Sequence, residues 1–319
     1  MKLQITSAFL VAASVCLCSG PGLHAHPQSL KFPQAADMNA VGKRDLGMGV
    51  NFYSLGKEKE IGKQLALETE RAGRLIDDSV VNAYMNALAQ KLAGNSDARM
   101  PITVRVLDSE MADGFALPGG FLYVDKGLIL EAKTEAELAG AIAHSIAHTA
   151  MRSATALATK GAVMRLASIP AMASPPQASM TIFSTPSISP MNSPEILLTL
   201  KYQAEYVLAA DYFSLQYLYK SGYDPEPFVQ LVERAAAKNG LDKNGRAMKG
   251  LYPSGSERAD KMRKEIASIL PPREGATVST SEFDSLKERI RSLVPDRSKP
   301  SLRRRGEQTM PPAQLQIPQ

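Results

Sequence analysis

Two histidines, His144 and His148, stand four residues apart in the run Glu137-Leu-Ala-Gly-Ala-Ile-Ala-His144-Ser-Ile-Ala-His148. The run is apolar and rich in alanine, so it reads as a helix, and residues four apart on a helix share one face. Two imidazoles placed that way can both reach one divalent cation. Hydrolysis at such a cation needs two further parts. One is a third protein ligand, with a position left open for water; the other is a carboxylate beside the first histidine to take the water's proton. Ser145 stands where that carboxylate would be. A hydroxyl is a poor proton acceptor near neutral pH, and a positioned acid–base group is worth ~10²–10⁴ in rate. Ser145 as a nucleophile with His148 as its base is the alternative chemistry, but the sequence shows neither an oxyanion hole nor a third member for it.

The elements that must position these residues can be read in order. Ile61, Leu65, Ala66 and Ala72, set among Lys57, Glu58, Lys59, Glu60 and Glu68, predict a helix from Ser54. Val81, Tyr84, Met85 and Leu88 are the apolar stripe of a second helix over 78–92, capped by Asp77 or Asp78. Residues 102–107 alternate like a half-buried strand, and a second strand, 121–124, follows the turn Pro118-Gly-Gly120. Helix returns near 127–130. Thr134, with Glu137 three residues later, has the spacing of a capping box for the histidine helix, which is expected to continue towards 166. Residues 166–194 hold six prolines, seven serines and no charge, which predicts a loop, either folded over a groove or disordered. Helices are expected at 195–220, 226–238, 256–270 and 279–293; Gly222 suits a left-handed end to the first, and Ser281 a cap for the last.

Composition narrows the function classes. Of the 319 residues 44% are hydrophobic, enough for a large core. Residues 1–25 read as a secretory signal, with Lys2, an apolar run over 5–17 and Leu23-His-Ala25 before the cut, so export to the periplasm or beyond the cell is expected. Cys16 and Cys18 follow Val15 and Leu17 rather than small residues, which disfavours a lipoprotein. Both cysteines lie in the signal, so the mature chain has neither disulfides nor thiolate metal ligands. Of the formal net charge of +5, Lys2 supplies one and residues 296–319 three, leaving +1 for 26–295. With no basic body, nucleic acid is not an expected partner. The basic tail reads as a disordered, solvated end whose charge would also allow weak contact with an anionic membrane.

Several motifs occur in one order: Phe115-Ala-Leu-Pro-Gly-Gly-Phe-Leu-Tyr-Val124, Glu135-Ala-Glu-Leu-Ala-Gly140, His144-x-x-x-His148, Ala210-Asp211 and Lys220-Ser-Gly-Tyr-Asp-Pro225. Together they resemble peptidase family M48, zinc metalloendopeptidases, over about residues 54–270. The resemblance implies an α+β, mostly helical, zincin-like domain with a small sheet. A lead-in over 26–53 precedes it and a helical extension over 271–295 follows. It also implies that His144 and His148 match two zinc ligands and that Asp211 supports one of them from behind. Two positions depart from the pattern. Ser145 replaces the general base, and Val207, four residues before Asp211, replaces the third ligand. Gln203, Ala204, Ala209, Ser153 and Tyr252-Pro253 also differ from the usual residues. Glu205 cannot stand in for Val207, because two residues on a helix are about 200° apart.

Zinc is therefore the cofactor the resemblance implies, and the two substitutions predict its loss. The expected function is that of a degenerate peptidase of the cell envelope, binding unfolded or extended polypeptide, or an envelope partner, without cutting it. The edge expected to take peptide as an added strand is 121–124. The alternatives are an active zinc endopeptidase with an unconventional third ligand and base, and a structural or assembly protein of the envelope.

Overall fold

Most helix starts in the chain carry their own cap. Ser54 accepts from the amide of Lys57 and opens α1 (Leu55–Ala72). Asp78 accepts from Val80 and Val81 and opens α2 (Ser79–Ala93). Thr134 accepts from Glu137 and opens α4 (Glu135–Ala150), and Ser254 forms a full capping box with Glu257 at α8 (Gly255–Ile269). Each such bond satisfies an amide that the helix leaves without a partner. The remaining helices are α3 (Lys126–Glu131), α5 (Ser153–Ser168), α6 (Pro194–Lys220), α7 (Glu226–Lys238) and α9 (Ser281–Leu293). The cap of α9 is Thr280, which accepts from Phe283, rather than Ser281. The computed structural model describes residues 32, 34–47, 50–168, 194–238 and 254–293. The signal, most of the proline- and serine-rich stretch, Tyr252-Pro253 and the basic tail lie outside the described residues.

Three strands, β1 (Thr103–Leu107), β2 (Gly114–Leu117) and β3 (Phe121–Asp125), make one sheet in the order β1-β3-β2. β3 pairs parallel with β1 and antiparallel with β2, so it is the central strand. This corrects the expectation that 121–124 is an open edge: the edges are β1, whose outer side is bonded by Ile76 and Asn86, and β2, a segment whose glycine and proline borders hide its strand character. The β2–β3 turn has Gly119 and Gly120 at φ +83° and +90°. A Cβ on Gly120 would lie 2.2 Å from the Pro101 carbonyl oxygen, so the turn is both left-handed and tightly seated.

The sequence-level expectation of one long helix through 144–166 also fails. The chain breaks at Met151-Arg152, where Arg152 takes φ +55°. Its guanidinium there pairs with Glu58 of α1 at 2.8 Å and also donates to the carbonyl of Tyr53. A long-range ion pair thus sets a local bend that no turn residue announces.

α4 runs through the middle of the molecule. Ala136, Leu138, Ala139, Ile142, Ala143, Ile146 and Ala147 are all buried, and α2, α6, α7 and β2 pack around them. Its small residues permit that crowding: a Cβ on Gly140 would sit 2.3 Å from the Phe228 side chain of α7. α9 joins the same core through Phe283, Leu286 and Ile290. The stretch before α1 is tied down by Arg44, which donates to Asp97 at 2.6 Å, to Gln216 of α6 at 2.9 Å and to the Ala35 carbonyl at 2.8 Å.

Candidate functional site

α4 carries His144, Ser145 and His148 to the wall of a groove of about 330 Å³. β2 and the turn after it form one bank; α5, with Ser153, Ala154, Thr155 and Leu157, and α6, with Tyr206 and Val207, complete the lining. The structure therefore brings together four positions singled out in the sequence: His144, Ser145, His148 and Val207. Asp211 lies one turn beyond Val207 on α6, fully buried behind His144. Glu205 is buried but absent from the groove wall, in keeping with its angular offset, and its charge acts on Lys160 of α5.

The two imidazoles meet edge to face, with their Nε2 atoms 3.2 Å apart. Nδ1 of His144 lies 3.0 Å from Oδ1 of Asp211, a close contact set off the axis of a strong hydrogen bond. Arg258 of α8 grips the same carboxylate with two bonds, of 2.8 and 2.7 Å. Burial alone would push the Asp211 carboxyl up, but the Arg258 guanidinium and then His144 hold it well below the usual carboxylate range. A carboxylate only accepts, so the His144 tautomer with its proton on Nδ1 is the one that suits this contact. Its Nε2 is then the acceptor for the Nε2–H of His148. That leaves Nδ1 of His148 to accept from the Ser153 hydroxyl, 3.1 Å away. Burial, then His144, pushes the His148 imidazole down to about 3, with Asp211 opposing and Arg258 adding to the fall, so it is neutral at physiological pH.

Ser145 does not join this chain. Its hydroxyl donates to the Ala141 carbonyl, 3.2 Å back along the helix. The hydroxyl that reaches His148 belongs to Ser153, so the alternative of a Ser145–His148 pair does not match the geometry. Glu137 faces away from the groove: it accepts from the amide of Lys133 at 2.8 Å and pairs with Arg234 of α7. It serves the helix start, one residue off a true capping box. Sequence reasoning did not find Arg258 or the role of Glu58, and it marked Ser153 only as a departure from the family pattern, not as a partner of His148. Each acts on the site from a different helix, and no spacing along the chain marks them.

Whether these side chains fit zinc can be tested on their own geometry. A tetrahedral centre with Zn–N of ~2.0–2.1 Å sets two ligand nitrogens roughly 3.3 Å apart, near the observed separation. The pair alone would suit a metal. Val207, at the sequence position of the third ligand, offers the groove wall only an isopropyl group, and the described residues contain no group of three metal-binding side chains. The donor set therefore does not fit a catalytic zinc site.

A histidine pair on a buried helix, set against the edge strand of a small sheet, defines the chain as zincin-like. The comparisons with known proteins agree. The model of peptidase family M48 matches residues 79–283, and the chain belongs to that family of zinc-dependent metallopeptidases. It is 28% identical over 170 residues to the putative beta-barrel assembly-enhancing protease of Vibrio cholerae, covering 51% of this chain and 34% of that protein. The beta-barrel assembly-enhancing proteases of Escherichia coli K12 and Yersinia pestis are each 25% identical to it. These matches run over 189 and 245 residues, or 57% and 74% of this chain. The chain spans about a third to a half of the length of these curated relatives: 34%, 38% and 49%. Among the described residues, no helix is long and apolar enough to cross a membrane.

Proposed function

We propose that this chain is an exported M48 protein that has given up metal-dependent hydrolysis and uses the groove between β2 and α4 to hold extended polypeptide. The observation that carries the reading is Val207 on the same groove wall as His144 and His148. An alkyl group offers no lone pair at the position where the family resemblance puts a ligand. Ser145 adds a second deficit, because its hydroxyl is held by its own helix and the carboxylate on the groove wall, Glu58, is engaged by Arg152 and Thr155. Meanwhile the two imidazoles satisfy one another, so the site is closed on itself without a cation. The open edge of β2 supports polypeptide as the ligand, since an unpaired strand edge offers main-chain bonds to an added strand. The export reading rests on residues 1–25, and the relatives' names, which speak of beta-barrel assembly, support including an envelope partner in the proposal.

The test is metal analysis of purified wild type beside a Ser145→Glu/Val207→Glu double variant. Wild type is expected to hold well under 0.1 zinc per chain by the physics of two ligands, and the double variant close to one. Stoichiometric zinc in wild type, with casein cleavage lost in His144→Ala, would overturn the proposal. The imidazole spacing keeps a second reading in play, an active enzyme whose third ligand is unconventional, and the same assay decides it. An envelope assembly role is separated by pull-down: one stable partner favours assembly, many unfolded clients the polypeptide-holding role.

A further inference from the structure

The polar side chains on the groove wall are already engaged within the protein. Thr149 donates to the Ser145 carbonyl at 3.2 Å, Ser153 is held by His148, and Thr155 and Arg152 are both bonded to Glu58. The charges also cancel in place, Glu58 against Arg152 and Asp211 against Arg258. What the cavity leaves for a ligand is the apolar surface of Leu157, Val207 and Leu117, together with the backbone of β2.

The register of that backbone follows from one bond. The amide of Asp125 donates to the Asp113 carbonyl at 2.9 Å, which makes 113 and 125 a bonded pair in the antiparallel ladder. Bonded and non-bonded pairs alternate, so Phe115 and Leu117 bond β3 while Gly114 and Ala116 turn their main-chain groups outward. The amide of Gly114 is taken by its neighbour Asp113, at 2.8 Å. Among the described residues, the groups of this strand left without a partner are the carbonyl of Gly114 and both main-chain groups of Ala116.

We propose that the groove binds extended peptide segments through Ala116 and the Gly114 carbonyl, and selects those with one large, uncharged, apolar side chain seated against Val207 and Leu157. This deepens the polypeptide-holding reading and rests on it. Alternate side chains of an added strand point into the groove. A cavity at the small end of the ~300–1,000 Å³ range of ligand pockets suits one anchor rather than several. A charged anchor would find its counter-charges already paired and would be buried without a partner. In this view the loss of the carboxylate ligand converted the position of the metal into a side-chain pocket.

Fluorescence anisotropy of the mature chain, residues 26–319, with labelled threonine-rich eight-residue peptides tests this. The central residue would be Leu, Phe, Ala, Asp or Lys. Leu and Phe peptides are expected to bind roughly 10- to 100-fold tighter than Asp or Lys peptides, the worth of one buried apolar side chain. Val207→Glu should erase that preference, and Val207→Thr, nearly the same shape, should weaken it without unfolding the protein. Methylating the peptide amide beside the anchor should abolish binding, since it removes a strand bond. Binding without preference for the anchor, or indifferent to methylation, would overturn this inference while leaving the groove as a polypeptide site. No binding by any peptide would remove the polypeptide-holding reading, and this inference with it.

Discussion

The Asp211 carboxylate is the residue through which the histidine pair is organised: Arg258 holds it in place with two bonds, and it lies 3.0 Å from Nδ1 of His144. This has a pH consequence. His148 is neutral when folded, with its pKa pushed down to about 3, against 6.5 for a free imidazole. Between those values the unfolded chain binds a proton that the folded chain does not, so acidification from pH 6.5 costs stability. Glu265 on α8 has the opposite sign. Burial raises its carboxyl to about 7 from 4.5, Lys261 partly offsets that, and Asp211 adds to it. Here the folded chain keeps the extra proton, and stability falls as pH rises from about 4.5 to about 7. Melting curves from pH 4 to 8 should show two opposed effects. His148→Gln should lose part of the acid sensitivity. Glu265→Gln should gain over wild type above pH 7, with the gain vanishing near pH 5. Parallel profiles for wild type and both variants would contradict the assignment.

Among elements, α4 decides the geometry, because it is packed from every side. Its closest approach is at Gly140, where any side chain would collide with Phe228 of α7. Gly140→Ala should destabilise by ~1–3 kcal/mol, the usual range for overpacking. Adding Phe228→Leu should recover part of the loss in chemical denaturation; no change from Gly140→Ala alone would mean that α7 moves freely. The element-scale features legible in sequence are those made by neighbours. The caps at Asp78 and Thr134, and the turn at Gly119-Gly120, follow from residues within three positions of each other. The features missed were made by distant partners: the bend at Arg152 answers to Glu58, and the identity of the edge strand depends on which strands β3 finds.

At the scale of the molecule, the chain before α1 is clasped to the core by a buried ion pair. Arg44 and Asp97 have side chains 1% and 0% exposed, and the Tyr217 hydroxyl donates to the same carboxylate at 2.9 Å. Removing one partner leaves a buried charge, so Arg44→Met should lower unfolding free energy by ~3–5 kcal/mol, and Arg44→Met/Asp97→Asn by less. Urea midpoints measure both, and equal losses would refute the pairing. By itself the sequence determined the helices other than the break between α4 and α5, the family motifs and the two departures at Ser145 and Val207, because periodicity, caps and spacing are properties of adjacent residues. Only the tertiary structure decided that Val207 shares a wall with both histidines, that Ser153 rather than Ser145 reaches His148, that Arg258 holds Asp211, and that β2 is the open edge. The Val207 and Arg258 facts depend on contacts between residues tens of positions apart, and the Ser153 and β2 facts on where the chain bends; packing, not spacing along the chain, sets which residues meet.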